Sequence, residues 1–330
     1  MAGTGTLHLR GEDQVLSVEG LTVEFPAKGG GTVHAVSGIS FDVIDGETLG
    51  ILGESGCGKS SAGRALMQLP PPTGGSVQLR GVELTGISKR ELRTKRAGMQ
   101  MIFQDPVSSL NPRRRVKDLV AEGPRIRGEQ VTDDQIREVL SAVGLDPESV
   151  WDRRPHELSG GQCQRLCIAR ALMLDPELLI CDEPVSSLDV SVQAQILNLL
   201  EETKKRYRLS MVFIAHDLAV VKNISDRIMV MYLGKVCEIV PSGDLATQAR
   251  HPYSQLLLAS VPEAHLAGGA DKVTATTAEL PSPLNPPSGC RFRTRCPLAT
   301  EKCATTEPQL REVVREDGVG SGHFVACHHA

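Results

Sequence analysis

A glycine-rich stretch, GESGCGKS from Gly53 to Ser60, is the feature that most restricts how this chain can fold. It fits the pattern G-x-x-x-x-G-K-S/T, follows an apolar run and precedes a helical one, which is the context that a phosphate-binding loop requires. Glycines let the backbone N–H groups turn towards phosphate oxygens, and the N-terminus of the following helix adds the positive end of its dipole. The alternative is a glycine-rich turn that happens to carry a lysine. The sequence predicts an α/β fold with strand, loop and helix in this order.

Two residues of this loop are predicted to carry the chemistry. Lys59 supplies a positive charge for the β- and γ-phosphates of a nucleotide, and the Ser60 hydroxyl is a ligand for Mg²⁺. Position 57, a cysteine, needs only a small side chain. The residues predicted to surround the nucleotide are Gly53, Glu54, Ser55, Gly56, Cys57, Gly58, Lys59, Ser60 and Ser61.

A second stretch, LLICDEP at 178–184, ends a buried apolar run with two carboxylates. Asp182 is predicted to hold Mg²⁺, and Glu183 to orient or deprotonate an attacking water. Carboxylates at the end of a buried strand are costly unless a cation is present. The alternative is a strand end that turns into solvent.

The apolar runs LLIC and MVFIA indicate strands buried on both faces of a parallel sheet, and VQAQILNLLEETKKRY between them indicates a crossover helix. The polar region at about 105–165 is predicted to be helical. Within it, Ile136, Val139, Leu140 and Val143 recur at the spacing of one helix face.

The stretch ELSGGQCQR, residues 157–165, predicts another helix N-terminus, which Ser159 can cap. With the phosphate loop and the Asp-Glu strand, it resembles the signature motif of the ATP-binding-cassette (ABC) family. The resemblance implies an ABC-type P-loop ATPase core with an antiparallel β subdomain and a helical subdomain at about 105–165. It also implies a dimer, because in the family the signature motif and the D-loop complete the ATP site of the opposite subunit. The matching residues here are Ser159, Gly160, Gly161, Gln162 and Asp189.

Three more residues match family positions in family order, and their roles come from the resemblance. Gln104 in MIFQDP resembles the Q-loop glutamine, which contacts Mg²⁺ and the attacking water. His216 in FIAHDL resembles the switch histidine, which contacts the γ-phosphate. Phe25 lies where the family stacks an aromatic ring on adenine, although a strand phenylalanine is more often core. The implied cofactors are ATP and Mg²⁺, the catalytic residues Glu183, His216 and Gln104, and the metal ligands Ser60, Gln104 and Asp182.

Other stretches of the chain indicate which members of the ABC family it resembles. HPYSQLLLASVP, IFQDPVSSLNPR and LPSPLNPPSGCRFRTRCP closely resemble the ATP-binding subunits of bacterial oligopeptide and dipeptide importers, and CDEPVSSLDVSVQAQILNLL resembles their F-type subunit. The resemblance implies a paralogous D-type ATPase or a second copy as partner, two membrane permeases and an extracytoplasmic peptide-binding protein. Import of nickel, glutathione or another small solute stays an alternative, and so does a non-transport ABC ATPase.

Composition changes near residue 262, after which Gly, Ala, Thr and Pro are frequent. This predicts an ABC nucleotide-binding domain at 1–262 and a C-terminal peptide-importer-type domain at 263–330.

The net charge of −4 does not favour nucleic acid as a partner. The chain shows no signal-peptide pattern and no apolar run of the about 18 residues that cross a bilayer. We therefore expect a peripheral protein at the cytoplasmic face of the membrane.

Four of the nine cysteines lie in the tail, at Cys290, Cys296, Cys303 and Cys327. Disulfides are disfavoured in the cytosol. A short tail rich in Pro and Gly nevertheless needs a stabilising cross-link, such as a bound metal. The spacing lacks the close pair typical of structural zinc and misses the ferredoxin patterns, so it does not choose a metal.

Peptide-importer ATPases with the GCRFRTRCP tail look like those that hold an iron–sulfur cluster. The resemblance therefore implies a small C-terminal metal-binding module, in which the four tail cysteines bind a 4Fe–4S cluster, with zinc as the alternative. His323, His328 and His329 flank the last cysteine; they are expected to be surface residues, with substitution as metal ligands as the alternative.

Overall fold

The structure is a computed structural model that describes residues 4–11, 13–27, 29–260, 280–314 and 320–330. The chain divides into two compact units. The first contains Met1–Ile87 and Ile214–Ala330, and the second contains Ser88–Phe213. Helices and strands are numbered below in chain order.

The first unit contains an antiparallel sheet in the order β2-β1-β4-β5. Its two long strands are rich in β-branched residues, and their inward-facing side chains, such as Val18 and Phe41, are fully buried. The strands of this sheet are β1 (Gln14–Pro26), β2 (Thr32–Ile44), β4 (Gly74–Leu79) and β5 (Val82–Glu83).

A second group of strands in the first unit positions the phosphate loop. Strand β3 pairs in parallel with β9, and β9, β10, β12 and β11 follow as antiparallel neighbours. These strands are β3 (Thr48–Leu52), β9 (Arg227–Tyr232), β10 (Lys235–Pro241), β11 (Arg311–Val314) and β12 (Gly320–Val325). The helices described in this unit are α1 (Lys59–Leu66), α9 (Leu218–Ile224), α10 (Leu245–Gln248), α11 (Pro252–Ala259) and α12 (Glu301–Thr305).

In the second unit, strands β6 and β7 pair in parallel, and β8 is the next strand beyond β7. They are β6 (Met99–Ile102), β7 (Leu178–Asp182) and β8 (Ser210–Ala215), whose last two residues belong to the first unit. The helices are α2 (Lys89–Lys95), α3 (Val116–Val120), α4 (Glu122–Ile126), α5 (Asp133–Ala142), α6 (Pro147–Val150), α7 (Gly160–Leu172) and α8 (Val190–Tyr207). Short 3₁₀ turns lie at Arg96–Gly98 and Pro155–Glu157.

Several predicted elements are confirmed. Every residue of β7 and β8 is buried, as expected for strands covered on both faces, and α8 connects them. Helix α5 buries its predicted apolar stripe, and a capping box between Thr132 and Gln135 fixes its start. The predicted helical region at 105–165 contains α3–α6 and the start of α7.

The predicted domain boundary near residue 262 lies outside the described residues, and its position stays a prediction. Across the part of the chain that the structure describes, no helix is long and apolar enough to cross a membrane.

Candidate nucleotide site

The phosphate loop connects β3 to α1 in the first unit, and its glycines are sterically required. Gly58 has a φ of +104°, and a Cβ built there would lie 2.1 Å from the carbonyl oxygen of Ala35. A Cβ on Gly53 would lie 2.2 Å from the carbonyl oxygen of Met231. Such distances exclude any side chain without movement of the backbone. The loop is therefore wound tightly against two neighbouring strands.

Lys59 begins α1 and is only 4% exposed. Its Nζ donates hydrogen bonds to the carbonyl oxygens of Gly53 (2.6 Å) and Glu54 (3.0 Å). Ser55 and Gly56 at the loop tip are exposed, and Ser60 and Ser61 are half-buried. A buried ammonium beside an open, glycine-rich loop is the arrangement that binds a phosphate group.

Glu54 of this loop is held by two residues for which the sequence predicted no role. The Glu54 backbone N–H donates to Tyr253 Oη at 2.9 Å. The Glu54 carboxylate accepts two hydrogen bonds from the Arg295 guanidinium, at 2.8 and 3.0 Å. Both partners lie in stretches that resemble peptide importers, HPYSQLLLASVP and GCRFRTRCP. This resemblance is the sequence signal that points to the two residues.

Cys57 is 1% exposed, and burial raises the pKa of its thiol. A protonated, inaccessible thiol is a poor nucleophile, so burial supports a packing role for this residue.

Phe25 and His216 also lie in the first unit. Phe25 stands near the end of β1, opposite Val33, and is half-buried. His216 is exposed and follows β8 directly, just before α9 begins. Both rings are therefore accessible from outside the core.

Asp182, Glu183 and Gln104 lie in the second unit. Asp182 is the fully buried last residue of β7. Glu183 has a φ of +48°, a left-handed conformation that costs a non-glycine residue about 1–3 kcal/mol. Its carboxylate accepts a 3.1 Å hydrogen bond from Gln104 Nε2. The structure thus brings together the predicted Q-loop glutamine and the predicted catalytic glutamate.

The oxygen atoms predicted to bind Mg²⁺ are of the type that this ion prefers: a hydroxyl, an amide and a carboxylate. Ser60 belongs to the first unit, whereas Gln104 and Asp182 belong to the second. The donor set therefore fits the ion, and its assembly into one site stays a prediction.

The signature motif starts α7 as the sequence predicts. The Ser159 hydroxyl accepts a hydrogen bond from the Gln162 backbone N–H at 3.3 Å, and the Ser159 N–H donates to Gln162 Oε1 at 2.9 Å. This capping box satisfies backbone groups that a helix end leaves open. Ser159, Gly160 and Asp189 are exposed, and Gly161 and Gln162 are half-buried.

Cys163 and Cys167, on the same helix, are 0% and 3% exposed. Their thiols lie 3.5 Å from the Pro155 carbonyl oxygen and 3.6 Å from the Pro106 carbonyl oxygen. Both side chains therefore pack in the interior of the second unit.

The structure does not show the metal site that the resemblance predicts for the four tail cysteines. Burial, together with the other three tail thiols, raises the pKa of Cys290 to about 11. Among the residues that the structure describes, however, no three His, Cys, Asp or Glu side chains form a group able to hold a metal ion. The Cys303 thiol instead faces Thr300 Oγ1 and His329 Nε2, each at 3.5 Å. The donors suit a four-thiolate cluster, but among the described residues the metal-binding module is not shown.

His323 differs from the expectation of a surface histidine. It is 1% exposed, and its Nε2 lies 2.6 Å from the buried carboxylate of Glu238. Strand pairing explains this burial, because β12, which carries His323, pairs with β10, which carries Glu238.

Two regions of the chain match known protein families. Residues 36–186 match the family described as ABC transporter, and residues 237–303 match the C-terminal region of oligopeptide/dipeptide transporters. The oligopeptide transport ATP-binding protein OppF of Escherichia coli is 46% identical over 330 residues, covering 96% of each chain. AppF of Bacillus subtilis, which carries the same description, is 45% identical over 328 residues, covering 96% of this chain and 98% of its own.

Among solved structures, the dimeric bacterial ABC transporter cassette MJ0796 superimposes with a TM-score of 0.61 at 26% identity. The match covers 67% of this chain and 96% of that one. With the phosphate loop, the Asp-Glu strand and the signature helix in place, the chain belongs to the ABC transporter family of ATP-binding proteins.

Proposed function

We propose that this chain is the subunit whose ATP hydrolysis powers the import of dipeptides and oligopeptides through a membrane ABC transporter. As an ABC ATPase, it converts ATP and water to ADP and phosphate. The observation that carries the peptide assignment is the combination of an ABC region at 36–186 with a peptide-transporter region at 237–303. Relatives named as oligopeptide transport ATP-binding proteins match both regions over nearly their full length.

Lys59 and the loop backbone bind and orient the β- and γ-phosphates in this proposal. Ser60, Gln104 and Asp182 would hold Mg²⁺, which would neutralise phosphate charge when bound. Glu183 accepts the proton of the attacking water, and Gln104, its hydrogen-bond partner at 3.1 Å, orients the carboxylate. His216 supports the γ-phosphate, and Phe25 stacks on the adenine ring. The accessible position of both rings supports these two roles.

A second cassette completes the site. The signature residues and Asp189 contact the ATP of the opposite subunit, and their exposure in this chain supports that use. The cassette MJ0796, described as dimeric, supports the same assembly. The second cassette is a D-type paralogue or another copy of this chain.

The remaining partners are two membrane permeases and a substrate-binding protein outside the membrane, as an importer requires. The chain then sits peripherally at the cytoplasmic face, where ATP is available. Nickel, glutathione and other small solutes are the competing cargoes.

A 4Fe–4S cluster on Cys290, Cys296, Cys303 and Cys327 is a separate part of the proposal, with zinc as the alternative. The number and type of donors support it. The 2.8 Å hydrogen bond from the Cys290 N–H to the Cys303 carbonyl oxygen, which brings two of the four residues together, also supports it. Iron and acid-labile sulfide in protein purified without oxygen would support the cluster. Stoichiometric zinc, or no metal, would contradict it.

The transport proposal is tested by purifying the chain together with its membrane permease partners and measuring ATPase activity in nanodiscs. Addition of the substrate-binding protein loaded with a mixed peptide library should stimulate hydrolysis. Stimulation by Ni²⁺-loaded or glutathione-loaded binding protein, without any response to peptides, would contradict peptide import.

A further inference from the structure

The tail segment, residues 280–296, lies against the phosphate loop and the strand next to it. A Cβ built on Gly56 at the loop tip would be 3.9 Å from Cδ2 of Leu280. The Pro283 carbonyl oxygen accepts a 3.0 Å hydrogen bond from the His34 N–H in β2. The Arg291 guanidinium donates to Ser37 Oγ at 2.8 Å on the same strand. The tail segment therefore lies beside the tip of the phosphate loop and is bonded to strand β2.

An aromatic cluster anchors this segment beneath the loop. Phe292 is 1% exposed, and its ring centroid lies 5.1 Å from that of Tyr232 and 5.4 Å from that of Tyr253. The first contact is edge-to-face and the second is tilted, and both hold the rings in fixed positions. Because Tyr253 Oη accepts the Glu54 N–H, the cluster fixes the loop backbone at Glu54.

Arg295 then pairs with the side chain of Glu54. The two hydrogen bonds of 2.8 and 3.0 Å form a bidentate ion pair, the strongest geometry available to an arginine and a carboxylate. The Arg295 side chain is 11% exposed and that of Glu54 is 31% exposed, so the pair is partly shielded from solvent. The Arg295 Cζ also lies 5.7 Å from the centroid of the Tyr232 ring.

The charge of Glu54 is unfavourable in a loop that binds phosphates. A carboxylate at this position repels the phosphate anions that the loop binds. Arg295 supplies the opposite charge from 241 residues away in sequence.

We propose that Arg295 is a positioning residue for nucleotide binding: it holds and neutralises the Glu54 carboxylate, which would otherwise repel the phosphates. The C-terminal tail thereby becomes part of what makes the loop competent to bind ATP. This inference rests on the proposed binding of ATP by the phosphate loop.

The test measures binding of the non-hydrolysable analogue AMP-PNP with Mg²⁺ to the full-length chain by calorimetry. Arg295→Gln should weaken binding about tenfold, because it leaves Glu54 uncompensated. Adding Glu54→Gln should restore affinity to within about twofold of the unmodified chain. Arg295→Lys, which keeps the charge but loses the bidentate geometry, should fall between the two. Arg293→Gln is the matched control, because Arg293 lies in the same segment and bonds to Ser288.

In the assembled transporter, Arg295→Gln should raise the KM for ATP and leave kcat unchanged. Unchanged AMP-PNP affinity in Arg295→Gln would overturn the proposal. Failure of Glu54→Gln to restore affinity would also overturn it, since it would assign Arg295 a packing role. If Arg295→Gln does not fold, as judged by thermal melting, Glu54→Gln alone decides: binding as tight as in the unmodified chain or tighter supports the proposal, and weaker binding contradicts it.

Lys59→Ala distinguishes failure of the Arg295 proposal from failure of ATP binding by the phosphate loop. If Lys59→Ala loses AMP-PNP binding while Arg295→Gln binds normally, only the role of Arg295 is overturned. Normal binding by Lys59→Ala would instead overturn nucleotide binding by the phosphate loop.

Discussion

The side-chain amide of Gln104 donates a hydrogen bond to the carboxylate of Glu183, with 3.1 Å between the two atoms. Strand register explains the contact. Ile102 of β6 is paired with Cys181 of β7 in parallel, and each of the two functional residues follows two positions later. Parallel pairing thus brings two residues 79 apart in sequence to the same edge of the sheet.

Glu183→Gln should abolish ATP turnover and leave ATP binding intact. The substitution keeps the size of the side chain but removes the proton acceptor, so hydrolysis in the assembled transporter should fall at least about a hundredfold. Phosphate release and calorimetric ATP binding are the two measurements. Glu202→Gln, at an exposed position of α8, is the control and should hydrolyse normally. Near-normal hydrolysis by Glu183→Gln would remove Glu183 from the role of base.

Lys59→Ala should lose nucleotide binding. The buried ammonium, bonded within the loop at 2.6 and 3.0 Å, is the charge available there for the phosphates. Calorimetry with ATP should show affinity reduced at least about a hundredfold. Lys89→Ala, at an exposed residue of α2, should bind as the unmodified chain does. Equal affinities in the two variants would count against the phosphate loop as the ATP site.

Gly58→Ala should damage the loop itself. Its φ of +104° and the 2.1 Å approach of the Ala35 carbonyl oxygen leave no room for a methyl group. We expect a loss of roughly 2 kcal/mol or more in the free energy of unfolding, together with loss of ATP binding. Gly243→Ala, where no heavy atom lies within 4 Å of the added Cβ, should be close to neutral. Denaturant unfolding of both variants makes the comparison, and a stable, ATP-binding Gly58→Ala would show that the loop tolerates a side chain.

His251 should make stability depend on pH. It is 2% exposed, its Nδ1 accepts the Tyr253 N–H at 3.0 Å, and burial lowers its pKa from 6.5 to about 4. Because the unfolded chain binds this proton more readily, the stabilisation is complete above pH 6.5 and is lost as the pH falls towards 4. The expected loss is roughly 1–3 kcal/mol over this interval.

His251→Asn keeps a hydrogen-bond acceptor that does not titrate, and it should flatten the pH dependence of the unfolding free energy over this interval. His156→Asn, at an exposed histidine, should leave the dependence unchanged. An unaltered slope in His251→Asn would show that other groups control acid stability.

Most of the fold is predictable from patterns of residues that are close together in sequence. The phosphate loop, the buried strand that ends at Asp182 and the signature helix that begins after Ser159 each depend on residues close together in sequence. Their hydrophobic periodicity, glycine spacing and caps are therefore visible in the chain itself. The apolar stripe of α5 was predicted for the same reason.

Contacts between distant residues were not predictable in this way. Tyr253 and Arg295 reach Glu54 across 199 and 241 residues, and no spacing rule connects them. The metal-binding module is expected from a resemblance alone, and among the described residues it is not shown. The burial of His323 is not visible in the local sequence, because it follows from the pairing of β12 with β10.

The central claim is that ATP hydrolysis by this chain drives peptide import. Its most direct test is uptake of a radiolabelled tripeptide by proteoliposomes that contain the complete transporter, with the substrate-binding protein on one side and ATP on the other. The account predicts ATP-dependent accumulation with the unmodified chain and none with Glu183→Gln, although both complexes assemble and bind ATP. Equal uptake by the two complexes, or ATP-driven uptake of nickel or glutathione without any of the peptide, would contradict it.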